Sequence, residues 1–327
     1  MKTQTISFYD AHPGAANLLQ EVLDGLNASP RAIPAKFFYD ERGSELFDRI
    51  CDLPEYYQTR TELAILQRAL PDLVRLIGEE CLLVELGSGA SKKVRMLLEE
   101  LRPSGYVGVD ISREFLLASA EALARDYPWL QVHAACVDFS AGLRIPQCDD
   151  NVHIVAFFPG SSIGNFDAPD AVRLMRDVGE LVGPGGHLLI GVDLKKPVGL
   201  LNAAYNDSAG VTAAFNRNLL YRIRTELDSD VDPQAFEHYA FYNPSLARIE
   251  MHLVSNLAQV VHVADQAFAF APGEGIHTEN SYKYTVDGFG DLAARAGFRQ
   301  QAVWCDEHKL FSVQLLQNQP AAGQPES

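Results

Sequence analysis

Two glycines, two aspartates and a phenylalanine stand where a parallel α/β sheet would present them to a ligand. Gly87 and Gly89 end the apolar run CLLVEL and precede the lysine-bearing start of SKKVRMLL. A glycine turn between a buried strand and a helix lets the backbone come close to a bound molecule. The dinucleotide fingerprint needs a third glycine three positions on, where this chain has Lys92, so a pyrophosphate is disfavoured. S-adenosylmethionine carries no phosphate and suits a two-glycine turn. Its ribose needs an acidic group at the end of the following strand, and Asp110 ends YVGVD. Its adenine needs a polar contact one strand later, and Asp138 stands there with Phe139 beside it for stacking. The string GPGGHLLIGVD matches the entry to the fifth strand in methyltransferases. An aspartate at a strand end is more often a helix cap. What favours the cofactor is that all four signals fall in order along one sheet.

Those signals need an alternating scaffold, and the region from about 81 to 194 supplies one. Buried strands CLLVEL, YVGVD, LQVHAACVDF, VHIVAFFPG and HLLIGVDL are separated by helical stretches such as REFLLASAEALARDY and DAVRLMRDVGELV. Near-continuous apolar strands alternating with helices predict a parallel sheet covered on both faces, an α/β Rossmann-like fold. AGFRQQAVWCDEHKLFSVQLL predicts two closing strands. Between them the pattern changes. Val211, Phe215, Leu219, Ile223 and Leu227 make one helical stripe, read as core packing. RIEMHLVSN and QVVHVAD alternate as antiparallel strands do. The expected organisation is a helical lead-in over 1–60 that contributes to a substrate domain, a cofactor domain over 61–198 and 287–320, a smaller α+β substrate domain over 199–286, and a disordered tail over 321–327.

The bulk composition narrows the partners. The net charge is −16, with 27 Lys and Arg against 43 Asp and Glu, which disfavours nucleic acid and anionic membrane surfaces. The five cysteines are scattered without a C-x-x-C, and the first residues lack the apolar core of a signal peptide. A reduced cytoplasmic protein, working as a monomer on a small molecule, is the expectation. The nine histidines show no metal-ligand spacing, so no metal is expected, and His252 reads as structural.

The strings KFFYDERGSELFDRICDLPEYYQTRTE, ELGSGASKK, GSSIGNF, AGVTAAFNRN, RIEMHL and TENSYKY together resemble the histidine-specific Nα-methyltransferases of ergothioneine biosynthesis. The likeness spans about 36 to 315. It implies a methyltransferase domain joined to a smaller substrate domain. It also implies three methyl transfers from S-adenosylmethionine to the α-amine of free histidine, giving the betaine hercynine. Residue by residue, it implies that Gly87, Lys93, Asp110, Asp138 and Phe139 hold the cofactor. Asn165 and Tyr205 would hold the α-amino and carboxylate ends of the amino acid, with Tyr39 near the amine. Tyr57, Glu279 and Ser281 would face the imidazole, with Met251 packing nearby. Tyr39 and Asn165 are the residues expected to act on the reacting amine. Some members of that family have an apolar residue where this chain has Asn280. Residues two apart in an extended segment share a face, so Asn280 should point away from Glu279 and Ser281.

Taken alone, several of these residues also have plain structural readings. Tyr56 and Tyr57 could staple a helix start ahead of a capping box from Thr59 to Glu62. Tyr39 could be a packed aromatic, Asn165 a turn former, Glu279 a surface carboxylate, and Lys92 and Lys93 a solvated helix start. The placement of Asn165 beyond a central strand favours function. Two other functions remain open: methylation of another free amino acid such as tryptophan or tyrosine, and cofactor binding without catalysis, as in a sensor or assembly subunit.

Overall fold

A computed structural model describes residues 6–11, 15–78, 80–89, 92–140, 142–143 and 153–319. The segment read as a tail, 321–327, and Cys148 lie outside them. The chain divides into two compact units. One comprises 1–12, 58–195 and 283–327, the other 13–57 and 196–282.

The strands are β1 (Ser7–Ala11), β2 (Leu82–Leu86), β3 (Gly105–Asp110), β4 (Gln131–Val137), β5 (Ile154–Phe158), β6 (His187–Asp193), β7 (Phe236–Asn243), β8 (Arg248–Ser255), β9 (Gln259–Val263), β10 (Gln266–Phe270), β11 (Gly275–Tyr282), β12 (Phe298–Cys305) and β13 (Phe311–Asn318). The helices are α1 (Ala15–Asn27), α2 (Glu41–Cys51), α3 (Tyr57–Ile77), α4 (Val94–Leu101), α5 (Arg113–Asp126), α6 (Ala168–Val182), α7 (Val198–Tyr205), α8 (Val211–Glu226) and α9 (Val286–Arg295).

The first unit is built on one sheet of eight strands among the described residues, in the order β1-β4-β3-β2-β5-β6-β13-β12. The neighbours from β1 to β6 run parallel, and β13 and β12 close the sheet antiparallel. Burial on both faces explains the continuous apolar runs. Leu83, Val155 and Phe157 pack under residues of α3, α4 and α5, whereas Val84, Ala156 and Phe158 pack with residues of α6 and α9. The order reverses between β2 and β5, and the carboxyl ends of strands at such a point are where open α/β sheets bind ligands.

The sequence expectation of a helical lead-in is corrected at its start. Ser7–Ala11 is a strand, paired from Ser7↔His133 to Ala11↔Val137. It extends the sheet as an edge and is mostly exposed, so it carries no apolar run that would announce it.

The second unit holds a three-stranded antiparallel sheet in the order β11-β8-β7 and a hairpin of β9 and β10. The stripe along α8 is core: Val211, Phe215, Leu219 and Ile223 are buried. No helix of the described residues is long and apolar enough to cross a membrane.

Candidate active site

In the first unit Gly87 takes φ +69°, a left-handed conformation that only glycine adopts without strain. A Cβ added there would meet nothing within 4 Å, so the turn opens onto free space at the end of β2. Asp110 ties the turn from the next strand. One carboxylate oxygen accepts from the Gly89 N–H at 2.9 Å and the other from the Ser112 N–H at 2.9 Å. Both carboxylate oxygens of Asp110 are thus engaged in fixing the backbone around the turn. Burial pushes its carboxyl up, against the pull of these backbone donors. Beneath the turn, Glu85 accepts from the Tyr106 hydroxyl at 2.6 Å. Burial raises Glu85 to about 8.

Asp138 accepts from the Ser140 N–H at 3.0 Å and closes the turn after β4. The Phe139 ring stands edge-on to Phe158 at 5.8 Å. Asn165 ends the short helix Ser162–Asn165 that follows β5. Its side-chain amide has no hydrogen bond among the described residues and is half-buried. These placements suit a ligand with a ribose and a flat ring better than a phosphate. The turn leaves open space at Gly87.

Lys93 brings a residue that sequence reasoning misread. Its ammonium pairs with Glu62 at 2.5 Å, and the Glu62 side chain is 1% exposed. Both Glu62 oxygens also accept from the Gly160 N–H, each at 3.0 Å. Glu62 therefore spans the two sides of the topological switch, from the helix start after β2 to the loop after β5. The expected capping box fails for this reason: α3 begins at Tyr57, and the Glu62 carboxylate is spent on tertiary partners. Gly191 of β6 makes room, since a Cβ there would lie 2.0 Å from Glu62 Oε1. Opposite-charge partners far apart in sequence leave no local pattern, so no signal in the chain betrayed this pair.

In the second unit four of the predicted side chains, Tyr205, Met251, Glu279 and Ser281, come together at one face of the small sheet. The Tyr205 hydroxyl donates to Ser281 Oγ at 2.8 Å. Glu279 stands opposite Met251 and Ser281 opposite Ile249 in the β11–β8 register. Directly opposed residues share a face, and so do residues two apart, so these four lie on one side. Asn280 stands opposite Glu250 on the other side, as the alternation suggested. Its Oδ1 is buried without a hydrogen-bond partner. Tyr39 packs edge-on against Phe47 at 5.7 Å and Phe215 at 5.8 Å.

The two adjacent tyrosines separate. Tyr57 accepts from the Lys196 ammonium at 2.6 Å. Tyr56 stacks edge-on with Phe47 and Tyr205 at 6.4 and 6.5 Å. Burial, aided by the neighbouring Tyr205, Cys51, Tyr39 and Glu279, pushes the Tyr56 hydroxyl well above the usual phenol range. Tyr56 and Phe47 thus join Tyr39, Tyr205 and Phe215 in an aromatic cluster. Sequence reasoning weighs Tyr56 beside Tyr57 and chooses Tyr57 on the resemblance, and it does not single out Phe47.

The histidines do cluster, contrary to what their spacing suggested. Ligand atoms of Glu250, His252 and His277 lie within 4.8 Å of one another, on the sheet face opposite Met251. Each has a protein partner, however. Arg248 holds Glu250 at 2.7 Å, His252 Nε2 meets Glu250 at 3.3 Å, and His277 Nε2 meets the Glu279 carbonyl at 3.0 Å. Burial holds both imidazoles below their usual range. A metal would have to displace Arg248 and spread these bonds, so we read the cluster as packing.

The model of the family described as histidine-specific methyltransferase, SAM-dependent, matches residues 18–318. The chain belongs to that family. It is therefore an S-adenosylmethionine-dependent methyltransferase, and the parallel sheet with its glycine turn is the sheet of that enzyme class. The chain is 40% identical over 321 residues to the histidine N-alpha-methyltransferase of Mycolicibacterium smegmatis, covering 96% of this chain and 99% of that protein. It is 38% identical to the histidine N-alpha-methyltransferase of Mycobacterium tuberculosis, with the same coverage of 96% and 99%. Ergothioneine biosynthesis protein 1 of Neurospora crassa is 30% identical over 84% of this chain and 32% of its own length.

Proposed function

We propose that this methyltransferase takes free L-histidine, methylates its α-amine three times, and releases the betaine hercynine. The observation that carries the reading is the Tyr205–Ser281 hydrogen bond at 2.8 Å beside Glu279 on one sheet face. Neutral imidazole offers one N–H donor and one acceptor nitrogen. Glu279 matches the donor and Ser281 the acceptor, while the Tyr205 hydroxyl donates to Ser281 Oγ, so that the Ser281 hydroxyl can give its own proton to the ring. The names of the mycobacterial relatives point to the same substrate.

In this reading the first unit is the cofactor domain and the second the substrate domain. Gly87, Asp110, Asp138, Phe139 and Lys93 hold S-adenosylmethionine, which supplies an electrophilic methyl group. What remains for the protein is alignment and water exclusion. The nucleophile must be an uncharged amine. An α-amino group has a pKa of about 8, so a useful neutral fraction exists near neutrality without a strong base. A neutral amide such as that of Asn165 can hold such an amine without locking it as an ammonium. We further propose a cytosolic monomer, in keeping with free cysteines 51, 81, 136 and 305.

The aromatic cluster of Tyr39, Phe47, Tyr56, Tyr205 and Phe215 favours a second reading, an amino acid with a larger ring such as tryptophan. Mass spectrometry of the product tests the first reading. Incubation with histidine and excess S-adenosylmethionine should end in a trimethylated α-amine with the imidazole unmodified. A methyl group on the ring, or no product, would refute it.

A further inference from the structure

The pairing of β11 with β8 contains one irregularity, and it falls beside the candidate substrate residues. His277 stands opposite His252, and Glu279 opposite Met251. Thr278 is therefore an extra residue on β11 with no opposite number, a β-bulge. Bulges recur next to active sites, where they re-aim side chains.

The consequence follows from counting faces. Ile276 pairs with Leu253, so it shares the face of Met251 and Ile249. Strict alternation from Ile276 would place Thr278, Asn280 and Tyr282 on that face and send Glu279 and Ser281 to the other. The extra residue reverses this. Glu279 and Ser281 join Met251, while Asn280 and Tyr282 join His252 and Glu250. Ring contacts agree with the reversal: on the far face His277 stacks on His252 at 4.8 Å, and His252 on Phe241 at 5.8 Å.

A buried polar network holds the bulge. The Thr278 hydroxyl meets Asn216 Oδ1 at 2.8 Å and the Met251 carbonyl at 3.1 Å. Thr278 is 2% exposed and Asn216 0%. Asn216 in turn donates from Nδ2 to the His252 carbonyl at 3.0 Å and to His238 Nδ1 at 2.9 Å. His238 Nε2 then donates to the Tyr205 carbonyl at 2.9 Å. Burial keeps His238 below its usual range, which preserves this neutral tautomer. One asparagine on α8 thus ties the bulge of β11 to β8 and, through His238, to the end of α7 that carries Tyr205.

We propose that Thr278 and Asn216 are positioning residues for substrate selection: their hydrogen bond holds the bulge that turns Glu279 and Ser281 toward the amino-acid ring. The inference rests on the reading that Glu279 and Ser281 recognise histidine. Neither positioning residue touches the substrate in this account.

The test compares kcat and KM for histidine and tryptophan in Thr278→Val, Thr278→Ser and Glu279→Gln. Titration with S-adenosylhomocysteine serves as the control for folding and the cofactor domain. Thr278→Val should lower kcat/KM for histidine about tenfold, chiefly through KM, as a buried hydrogen bond of this kind predicts. It should also narrow the preference over tryptophan and leave S-adenosylhomocysteine affinity unchanged. Thr278→Ser, which keeps the hydroxyl, should remain within about threefold of wild type on the same scale. If Thr278→Val does not fold, Thr278→Ala is read against Thr278→Ser in the same way. A folded Thr278→Val with wild-type selectivity, while Glu279→Gln loses it, would overturn the role of the bulge. Equal losses in Thr278→Val and Thr278→Ser would overturn the role of the hydroxyl. Wild-type selectivity in Glu279→Gln would instead overturn the reading of Glu279 itself.

Discussion

The two units place their functional groups by different means. In the first, the groups sit at strand ends of a parallel sheet, where topology alone brings Gly87, Asp110, Asp138 and Asn165 to one edge. In the second, they sit within a strand, and a single extra residue decides which of them face inward. The first arrangement tolerates small errors, because every strand of a parallel sheet ends on the same side. The second does not, because a slip of one residue exchanges Glu279 for Asn280. In the proposed reading, cofactor binding is anchored by architecture and substrate choice by register.

Substitutions can break or sharpen that contrast. The largest effect is expected where the first unit buries charge completely. Lys283 and Asp193 pair at 2.8 Å with both side chains 0% exposed. Removing one partner of such a pair costs about 3–5 kcal/mol. Lys283→Met should therefore lower the melting temperature by roughly 4–7 °C at this chain size, read by calorimetry. A change of only a degree or two would show that the pair contributes little to the fold of that unit.

Next come the two carboxylates proposed for recognition, which should fail in opposite directions. Asp110→Ala loses charge-assisted hydrogen bonds of about 1.5–3 kcal/mol and should weaken S-adenosylmethionine binding roughly 10- to 100-fold. Its preference for histidine over other amino acids should survive. Glu279→Ala should do the reverse, cutting kcat/KM for histidine by a similar roughly 10- to 100-fold while cofactor affinity holds. Titration calorimetry and steady-state kinetics on both variants separate the outcomes. If each variant damaged both properties equally, the division of labour between the units would collapse.

The smallest effect is a pH dependence confined to the first unit. Burial raises Glu85 to about 8. A carboxyl raised above its unfolded value stabilises the fold while protonated. That stability is fully present below the unfolded pKa, drains as pH rises, and is gone above about 8. The loss is on the order of 1 kcal/mol over the unit from pH 6.5 to 7.5. Wild type should thus lose more melting temperature over that interval than Glu85→Gln. Parallel curves would place the titration elsewhere.

The same contrast explains what could be read in the chain. Strands buried on both faces wrote themselves as CLLVEL and HLLIGVDL, and positive-φ turns as glycines, so the parallel sheet and its ligand edge were visible. The edge strand Ser7–Ala11 was invisible because exposure removes its apolar pattern. Glu62 was misjudged because Thr59–Glu62 has capping-box spacing, while its actual partners Lys93 and Gly160 lie far along the chain. In the second unit the facing of Glu279 and Ser281 against Asn280 followed from alternation within TENSY. The bulge at Thr278, which ties that segment to Met251, left no sign, because nothing in threonine distinguishes a bulged residue from a paired one. Tyr56 and Tyr57 could not be told apart by spacing, and only packing assigns one to the aromatic cluster and the other to Lys196.

The most direct test of the account is methyl transfer from labelled S-adenosylmethionine to a panel of free amino acids at equal, sub-saturating concentration. In the proposed site Glu279 and Ser281 would pair both ring nitrogens of histidine and would be left unpaired against an apolar ring. Sites of that kind reject the unpaired analogue by up to ~10⁴-fold. The account predicts strong labelling of histidine and labelling of phenylalanine and leucine lower by orders of magnitude. Preferential labelling of tryptophan or tyrosine, or no labelling of any amino acid by a protein that binds the cofactor, would contradict it.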